Sequence, residues 1–394
     1  MKKPVKVPPS PGSPVYHIKP IYSFTLHISN IEGASTLNSK ADAQKRVLII
    51  RAGRLGDTVW ATTVIEPIRA LLGHDTQFDI IVARGMGKLF EHDPRIDTIF
   101  EINHRSIPLL CCPVKLSVLY KSLQYPYDLA ILLECGSHFS SLMRYVRAKQ
   151  KIYETKRSHS ESRSEGLNMV HVTSTVLAQG IPAIYCKDAA PSLRPPQHIN
   201  SADLIGNDRD YLCLHPGNSL LARGKLALRS WPESHWRELV QQITHHTPDI
   251  QIVLIGEKNE RPLSESIAAN FPGVINLAGR TSLQQLLTVL ADARALITTD
   301  TGPAHVAAAL ATPVIAVFGP SEAHGTGPFA SAEGWAVSVM KDVGCNPCVN
   351  TERAKACTDN RCMQVITPSD VMNLLDKALQ RLPTASVVQL EHVE

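Results

Sequence analysis

Two α/β domains, each a parallel sheet covered by helices on both faces, with a cleft between them, are the architecture this sequence predicts. Three observations lead there. At 394 residues the chain exceeds what one core usually supports, and two domains of ~100–200 residues are the default. From Arg46 onward, short β-branched runs alternate with amphipathic stretches, the pattern of strands each followed by a helix. That rhythm breaks in a polar, proline-rich region and then resumes. The expected layout is a disordered basic tail over 1–45, a first domain over 46–200 and a second over 201–394, with the C-terminal helix packing back on the first domain.

In the first half the strand candidates are "RVLIIR" (46–51), "FDIIVA" (78–83), "DTIFEI" (97–102) and "DLAILL" (128–133). The serine-rich segment 151–166 reads as a loop, and 191–210, with three prolines and several turn formers, as the interdomain linker. Strands resume with "YLCLHPG" (211–217), "QIVLIGE" (251–257), "ALITTD" (295–300) and "VIAVFG" (314–319), with helices expected over 233–246, 262–270, 282–293 and 303–310. Fully apolar strands separated by helices imply parallel sheets buried on both faces.

Composition narrows the function. With 44% apolar and 19% charged residues the chain is a folded protein, and no apolar run reaches the ~20 residues of a membrane span, so it reads as soluble or peripheral. A net charge of +4 gives no broad nucleic-acid footprint, so no nucleic-acid partner is expected. The first twenty residues carry Lys2, Lys3, Lys6 and Lys19, six prolines and no acid, which suits either a solvated extension or weak contact with anionic lipid or phosphate. Nine cysteines in a chain this long argue for a reducing, cytoplasmic compartment.

In open parallel sheets ligands lie beyond the carboxyl ends of the strands, so the loops there hold the candidate site. In "RAGRLGDTVW" (51–60), Gly53 and Gly56 permit a tight turn and Asp57 stands at a helix start, as a cap or as a general base on the cleft side. The G-x-x-G spacing is not a dinucleotide fingerprint. In "HPGNSLLARGKLALRSWPESHW" (215–236), Arg223, Lys225 and Arg229 suit a diphosphate, whereas "SWPE" alone is also a sound helix entry. In "TDTGPAHVAAAL" (299–310), Asp300 and Thr301 form a turn, Gly302 allows close approach, Pro303 starts a helix whose N-terminus suits phosphate, and His305 lies one turn in, as a ligand or as a packed core residue. Cys345, Cys348, Cys357 and Cys362, spaced C-x2-C-x8-C-x4-C, are candidates for a structural Zn or Fe site.

Taken together these residues resemble family 9 glycosyltransferases, the ADP-heptose:lipopolysaccharide heptosyltransferases. "DTGPAHVAAALATPVIAVFGP" carries the most specific similarity, joined in order by "IRAGRLGDTVWATTVI", "HPG", "SWPESHW", "NLAGRTSLQQLLTVLADARALI" and "CMQVITPSDVM". The resemblance implies a GT-B architecture of two Rossmann-like domains, acceptor on the first and nucleotide sugar on the second. It also implies Asp57 as catalytic base and a donor site at Arg229, Glu260, Asp300, Thr301, Gly302 and His305, with Ser219 and Lys225 as further candidates. Arg229 stands where the family usually has lysine, which keeps the charge but changes the geometry.

The expected activity is inverting transfer of heptose from ADP-heptose to a lipopolysaccharide inner-core acceptor, with no cofactor required, at the cytoplasmic face of a Gram-negative inner membrane. Alternatives are another nucleotide sugar, a protein (autotransporter) acceptor with a metal on the cysteines, a nucleotide-sugar epimerase, or a non-catalytic nucleotide-sugar-binding protein.

Overall fold

The computed structural model describes residues 44–134, 137–153, 168–186, 189–218, 228–331, 333–380 and 389–392. The tail expected over 1–45 therefore lies, save for its last two residues, outside the described residues. Gln44–Glu394 is one compact unit built on two sheets.

The first sheet contains β1 (Arg46–Ile50), β2 (Gln77–Ala83), β3 (Ile96–Ile102), β4 (Tyr127–Leu132) and β5 (Ala148–Tyr153), all parallel in the order β3-β2-β1-β4-β5. Four of these were legible as apolar runs. β5 overlaps the segment expected to be a loop. As an edge strand with one neighbour and half of its positions exposed, it needs little apolar sequence.

The second sheet contains β6 (Tyr211–His215), β7 (Gln251–Leu254), β8 (Ile275–Asn276), β9 (Ala295–Thr299), β10 (Val314–Val317), β11 (Ala336–Met340) and β12 (Gln389–His392), parallel in the order β12-β11-β10-β9-β6-β7-β8. The four strands expected here hold its centre, and the unanticipated β8, β11 and β12 lie towards its edges.

The helices that position the site are α1 (Leu55–Ala61), α2 (Ile65–Leu72), α3 (Pro113–Gln124), α4 (Ser140–Tyr145), α5 (Glu233–His246), α6 (Arg261–Ala268), α7 (Leu283–Ala291), α8 (Gly302–Ala309) and α9 (Pro368–Gln380). α7 starts where a capping box dictates, with Ser282 Oγ accepting from the Gln285 amide at 3.2 Å and Gln285 Oε1 accepting from the Ser282 amide at 2.8 Å. The C-terminal helix packs on the second sheet rather than back on the first. Val371, Leu374, Leu375 and Ala378 of α9 form one apolar face, and it closes over Trp236, Leu239 and Ile243 of α5.

The stretch expected to link the halves is built into the body. Ser192 donates its amide to Thr62 Oγ1 (2.9 Å), Arg95 Nη1 reaches Ser192 Oγ (2.7 Å), and the Leu193 amide bonds to the Ala309 carbonyl (3.0 Å). Residues Ser201–Ile205 form a short helix capped by Asn200. One apolar cluster runs from Val47, Ile49 and Val59 to Ala304, Ala307 and Val314, so the two sheets share a continuous core. No helix among the described residues is long and apolar enough to cross a membrane.

Strand order fixes where a ligand can sit. β1 lies between β2 and β4, and β6 between β7 and β9, so each sheet reverses its winding there. The loops after β1, β4, β6 and β9 open at these switch points.

Candidate active site

After β1 the chain turns through Gly53, where a Cβ would come within 2.4 Å of Asp57 Cβ and 2.8 Å of its Oδ2. Only glycine leaves room for the carboxylate. Asp57 is the third residue of α1, not its cap: its Oδ2 accepts from the Arg54 amide at 3.0 Å, one half of a capping box. Its Oδ1 pairs with Arg51 Nη2 at 2.7 Å, and Arg51 also donates to the Leu133 carbonyl at the end of β4. Asp57 is thus the N3 partner of a capping box and not the N-cap that the sequence allowed, and its side chain keeps 32% exposure.

At the end of β9, Asp300 is buried and pairs with Arg229, Nη1 to Oδ2 3.1 Å. Thr301 takes the extended cap position of α8, and Gly302 is the first helical residue, placing the positive end of the helix dipole at this turn. His305 is buried, with its ring edge-on to Trp60 of α1 at 4.9 Å between centroids. Burial lowers its pKa, and the carboxylates of Asp300 and Asp57 pull the other way without reversing the shift. Its Nδ1 has no partner among the described residues. The imidazole is therefore held neutral, with a hydrogen-bonding atom to spare.

α1 and α8 meet with their N-terminal turns together. A Cβ on Gly56 would come within 2.9 Å of His305 Cδ2, and one on Gly302 within 2.7 Å of Leu55 Cδ2. Glycines at both positions bring the Asp57 carboxylate of the first half to the Asp300–His305 turn of the second.

Glu260 anchors a second cluster. It is buried, accepts from the Glu257 amide at 2.7 Å, and lies 3.2 Å from His215 Nε2. Burial pushes its pKa up, but the hydrogen bonds from His215 and the Glu257 amide outweigh that and leave it lowered. Gly217 and Gly256 leave space for it: a Cβ at either would fall within 2.3 Å and 2.9 Å of its carboxyl group, respectively. His215 Nδ1 contacts Thr298 Oγ1 (3.2 Å) and Thr301 Oγ1 (3.1 Å). One buried imidazole thus joins Glu260 to the α8 cap. His215 belongs to the "HPG" motif, in which the sequence singles out no side chain for the site. The signal was a histidine closing an apolar strand directly before Pro-Gly.

Of the other expected residues, Ser219 and Lys225, along with Arg223, lie outside the described residues. Cys345, Cys348, Cys357 and Cys362 are near enough for their charges to interact, yet among the described residues no three His, Cys, Asp or Glu side chains are gathered to hold a metal ion. Cys357 Sγ instead donates to the Asp359 carbonyl at 3.0 Å.

On the first half, a cleft of about 310 Å³ opens beside the Asp57 loop, lined by Ala52, Ala83 and the turn Ile102–Ser106 after β3. The buried Glu134, which follows β4, accepts from the Ala52 amide (3.2 Å) and lies 3.5 Å from Arg105 Nη1, tying the cleft wall to the Asp57 loop.

Comparison with known proteins adds three findings. The model of glycosyltransferase family 9 (heptosyltransferase) matches residues 119–358. Lipopolysaccharide heptosyltransferase 1 of Pseudomonas aeruginosa is 34% identical over 130 residues, 33% of this chain and 34% of the relative, so the match spans about a third of that protein's length. Two solved structures superpose across most of the chain. A family 9 glycosyl transferase from Veillonella parvula has a TM-score of 0.66 at 16% identity, covering 85% of this chain and 97% of that one. The ADP-heptose lps heptosyltransferase II of E. coli has a TM-score of 0.62 at 19% identity, covering 85% and 98%. These likenesses fix the fold as GT-B.

Proposed function

The chain belongs to glycosyltransferase family 9, and from that premise we propose that it transfers heptose from ADP-heptose to a lipopolysaccharide inner-core acceptor, with inversion and without a metal. The donor and acceptor classes come from the names of its relatives, lipopolysaccharide heptosyltransferase 1 and the ADP-heptose lps heptosyltransferase. The observation that carries the reading is the apposition of α1 and α8, which puts one carboxylate, Asp57, opposite a turn equipped for a diphosphate sugar.

Asp57 accepts the proton of the attacking acceptor hydroxyl. Two hydrogen bonds, from Arg51 and the Arg54 amide, fix the orientation of its carboxylate for that role. The new C–O bond forms at the anomeric carbon as the bond to the diphosphate oxygen breaks on the opposite face, so a single displacement inverts the centre. Negative charge grows on the departing ADP, where Arg229 and the N-terminal end of α8 stabilise it in a preorganised way. Neutral His305 offers a hydrogen bond to the sugar or phosphate. Glu260, held by His215 and the two glycines, takes the nucleoside end, and the cleft beside Ala52 and Asn103 receives the acceptor at the inner-membrane face.

The test is incubation with ADP-heptose and core-truncated lipopolysaccharide, read by mass spectrometry, for the native chain and Asp57→Ala. Transfer by the native chain alone, with ADP binding kept in the variant, supports the reading. Equal transfer by both removes Asp57 as base, and transfer only from another nucleotide sugar removes heptose as donor.

A further inference from the structure

Nine large apolar side chains are exposed among the described residues, and all but Ile184 and Tyr185 fall between positions 110 and 153. Such concentration is uncommon on a protein surface that faces only water. On α3, Leu116, Tyr120 and Leu123 recur at i, i+4 and i+7, while Lys115, Val118 and Ser122 are buried on the opposite side. The helix is amphipathic, with a second apolar face turned outward. α4 lies beside it, joined where the Arg147 amide donates to Ser122 Oγ (3.2 Å), and adds the exposed Tyr145.

Cations outnumber carboxylates around this face, and the two carboxylates at its edge, Asp97 and Asp128, are paired with Lys121 (2.8 Å) and Lys149 (2.7 Å). Residues 103–127 and 137–153 contain no Asp or Glu, and hold three and four Lys or Arg respectively. Arg144 in α4 and Arg147 just after it are exposed. Lys115 is turned inward, where it donates to the carbonyls of Arg105 (2.9 Å), Ile107 (2.7 Å) and His138 (2.8 Å) and pins the loop that presents Leu110, 82% exposed.

We propose that the outer face of α3 and α4 docks on an anionic phospholipid bilayer, with Leu116, Tyr120, Leu123 and Tyr145 at headgroup depth and Arg144 and Arg147 on the lipid phosphates. Tyrosine and leucine flanked by cations is the composition that settles at such an interface, and the exposed Arg144 and Arg147 complement an anionic surface. The connection 103–112 runs from the acceptor cleft straight into this face, so docking brings the cleft to the membrane. The inference deepens the membrane part of the proposed function and rests on it. Vesicle binding is read without any sugar nucleotide, so it fails or succeeds separately from transfer.

The experiment is cosedimentation of the full chain with vesicles of phosphatidylglycerol and phosphatidylcholine, or of phosphatidylcholine alone. The native chain is expected to pellet with the anionic vesicles only, and less so as salt rises. Arg144→Gln/Arg147→Gln lowers partitioning by roughly 25-fold, about fivefold per cation, and Leu116→Ser/Tyr120→Ser/Leu123→Ser abolishes it. Both variants keep ADP binding, since the changed positions are exposed. Ile184→Ser/Tyr185→Ser, on the exposed apolar pair elsewhere, binds like the native chain. The proposal falls if the native chain stays in the supernatant, or if both patch variants pellet like the native chain, which would assign binding to the basic N-terminal tail. It also falls if the native chain is a dimer that the triple variant makes monomeric without any lipid binding.

Discussion

His215 Nε2 stands 3.2 Å from Glu260 Oε2, and through its other nitrogen the same ring touches Thr301 at the α8 cap. Removing the ring leaves a buried carboxylate with one partner fewer. His215→Ala is expected to cost about 3 kcal/mol of unfolding free energy and to raise the KM for the nucleotide sugar more than it lowers kcat. Denaturant titration and steady-state kinetics check both. An unchanged KM would reduce His215 to packing.

Asp57→Asn keeps the shape of the carboxylate but not its basicity. The expected result is a fall in kcat of about 10²–10⁴-fold with the ADP dissociation constant nearly unchanged, measured by calorimetry on the same preparations. A matching loss of ADP affinity would instead place Asp57 in the donor site.

Arg229 pairs with Asp300 at 3.1 Å and is proposed to steady the leaving diphosphate. Arg229→Ala should lower kcat/KM by ~100-fold or more. Arg229→Lys, the residue usual in the family, should recover part of that loss as a point charge does. Full recovery would mean that the guanidinium fork has no role of its own.

The contact of α1 with α8 is close enough to be probed by one methyl group. Gly56→Ala puts a Cβ at 2.9 Å from a carbon of the buried His305 ring, so one of the two helices must give. Overpacking of this kind costs ~1–3 kcal/mol, and here it also moves Asp57 relative to Asp300. A drop in kcat larger than the drop in melting temperature implies is the expected signature.

The pH dependence of stability has a definite sign. His305 has a folded pKa below 6.5, so its contribution is whole above pH 6.5 and is lost as pH falls towards the folded value. Glu260 and Asp370, lowered from 4.5 and 3.8, contribute above those values and lose it as pH falls through their folded pKa values. For Asp370, burial acts upward and is outweighed by the Lys341 ammonium at 2.8 Å and the Thr367 amide. Urea unfolding followed from pH 7 to 3 should show two falls. His305→Asn should flatten the upper one and Lys341→Met the lower.

Much of the fold was legible because parallel strands buried on both faces must be apolar throughout, and "VLII", "LCLH" and "VIAV" announce themselves. β5 was missed because an edge strand is half solvated, and β11 because Ser338 interrupts its run. Asp57, Asp300, Gly302 and His305 stood out in sequence because each lies at a strand-to-helix junction whose glycines and carboxylates have few other reasons to be there. His215 did not, since one residue at a strand end gives no hint that it will meet Glu260, 45 positions away. The cysteine spacing suggested a ligand set that the folded chain does not assemble among its described residues.

Most local elements and the residue types at the strand ends follow from the order of residues alone, because helix and strand periodicity and turn chemistry are properties of neighbours along the chain. That the first turns of α1 and α8 meet, that one core runs beneath both sheets, and that α9 stays with the second emerges from the folded chain and not from any local pattern. Those outcomes depend on which apolar faces find each other, and on glycines at 56 and 302 that let two backbones close to within a side chain's width.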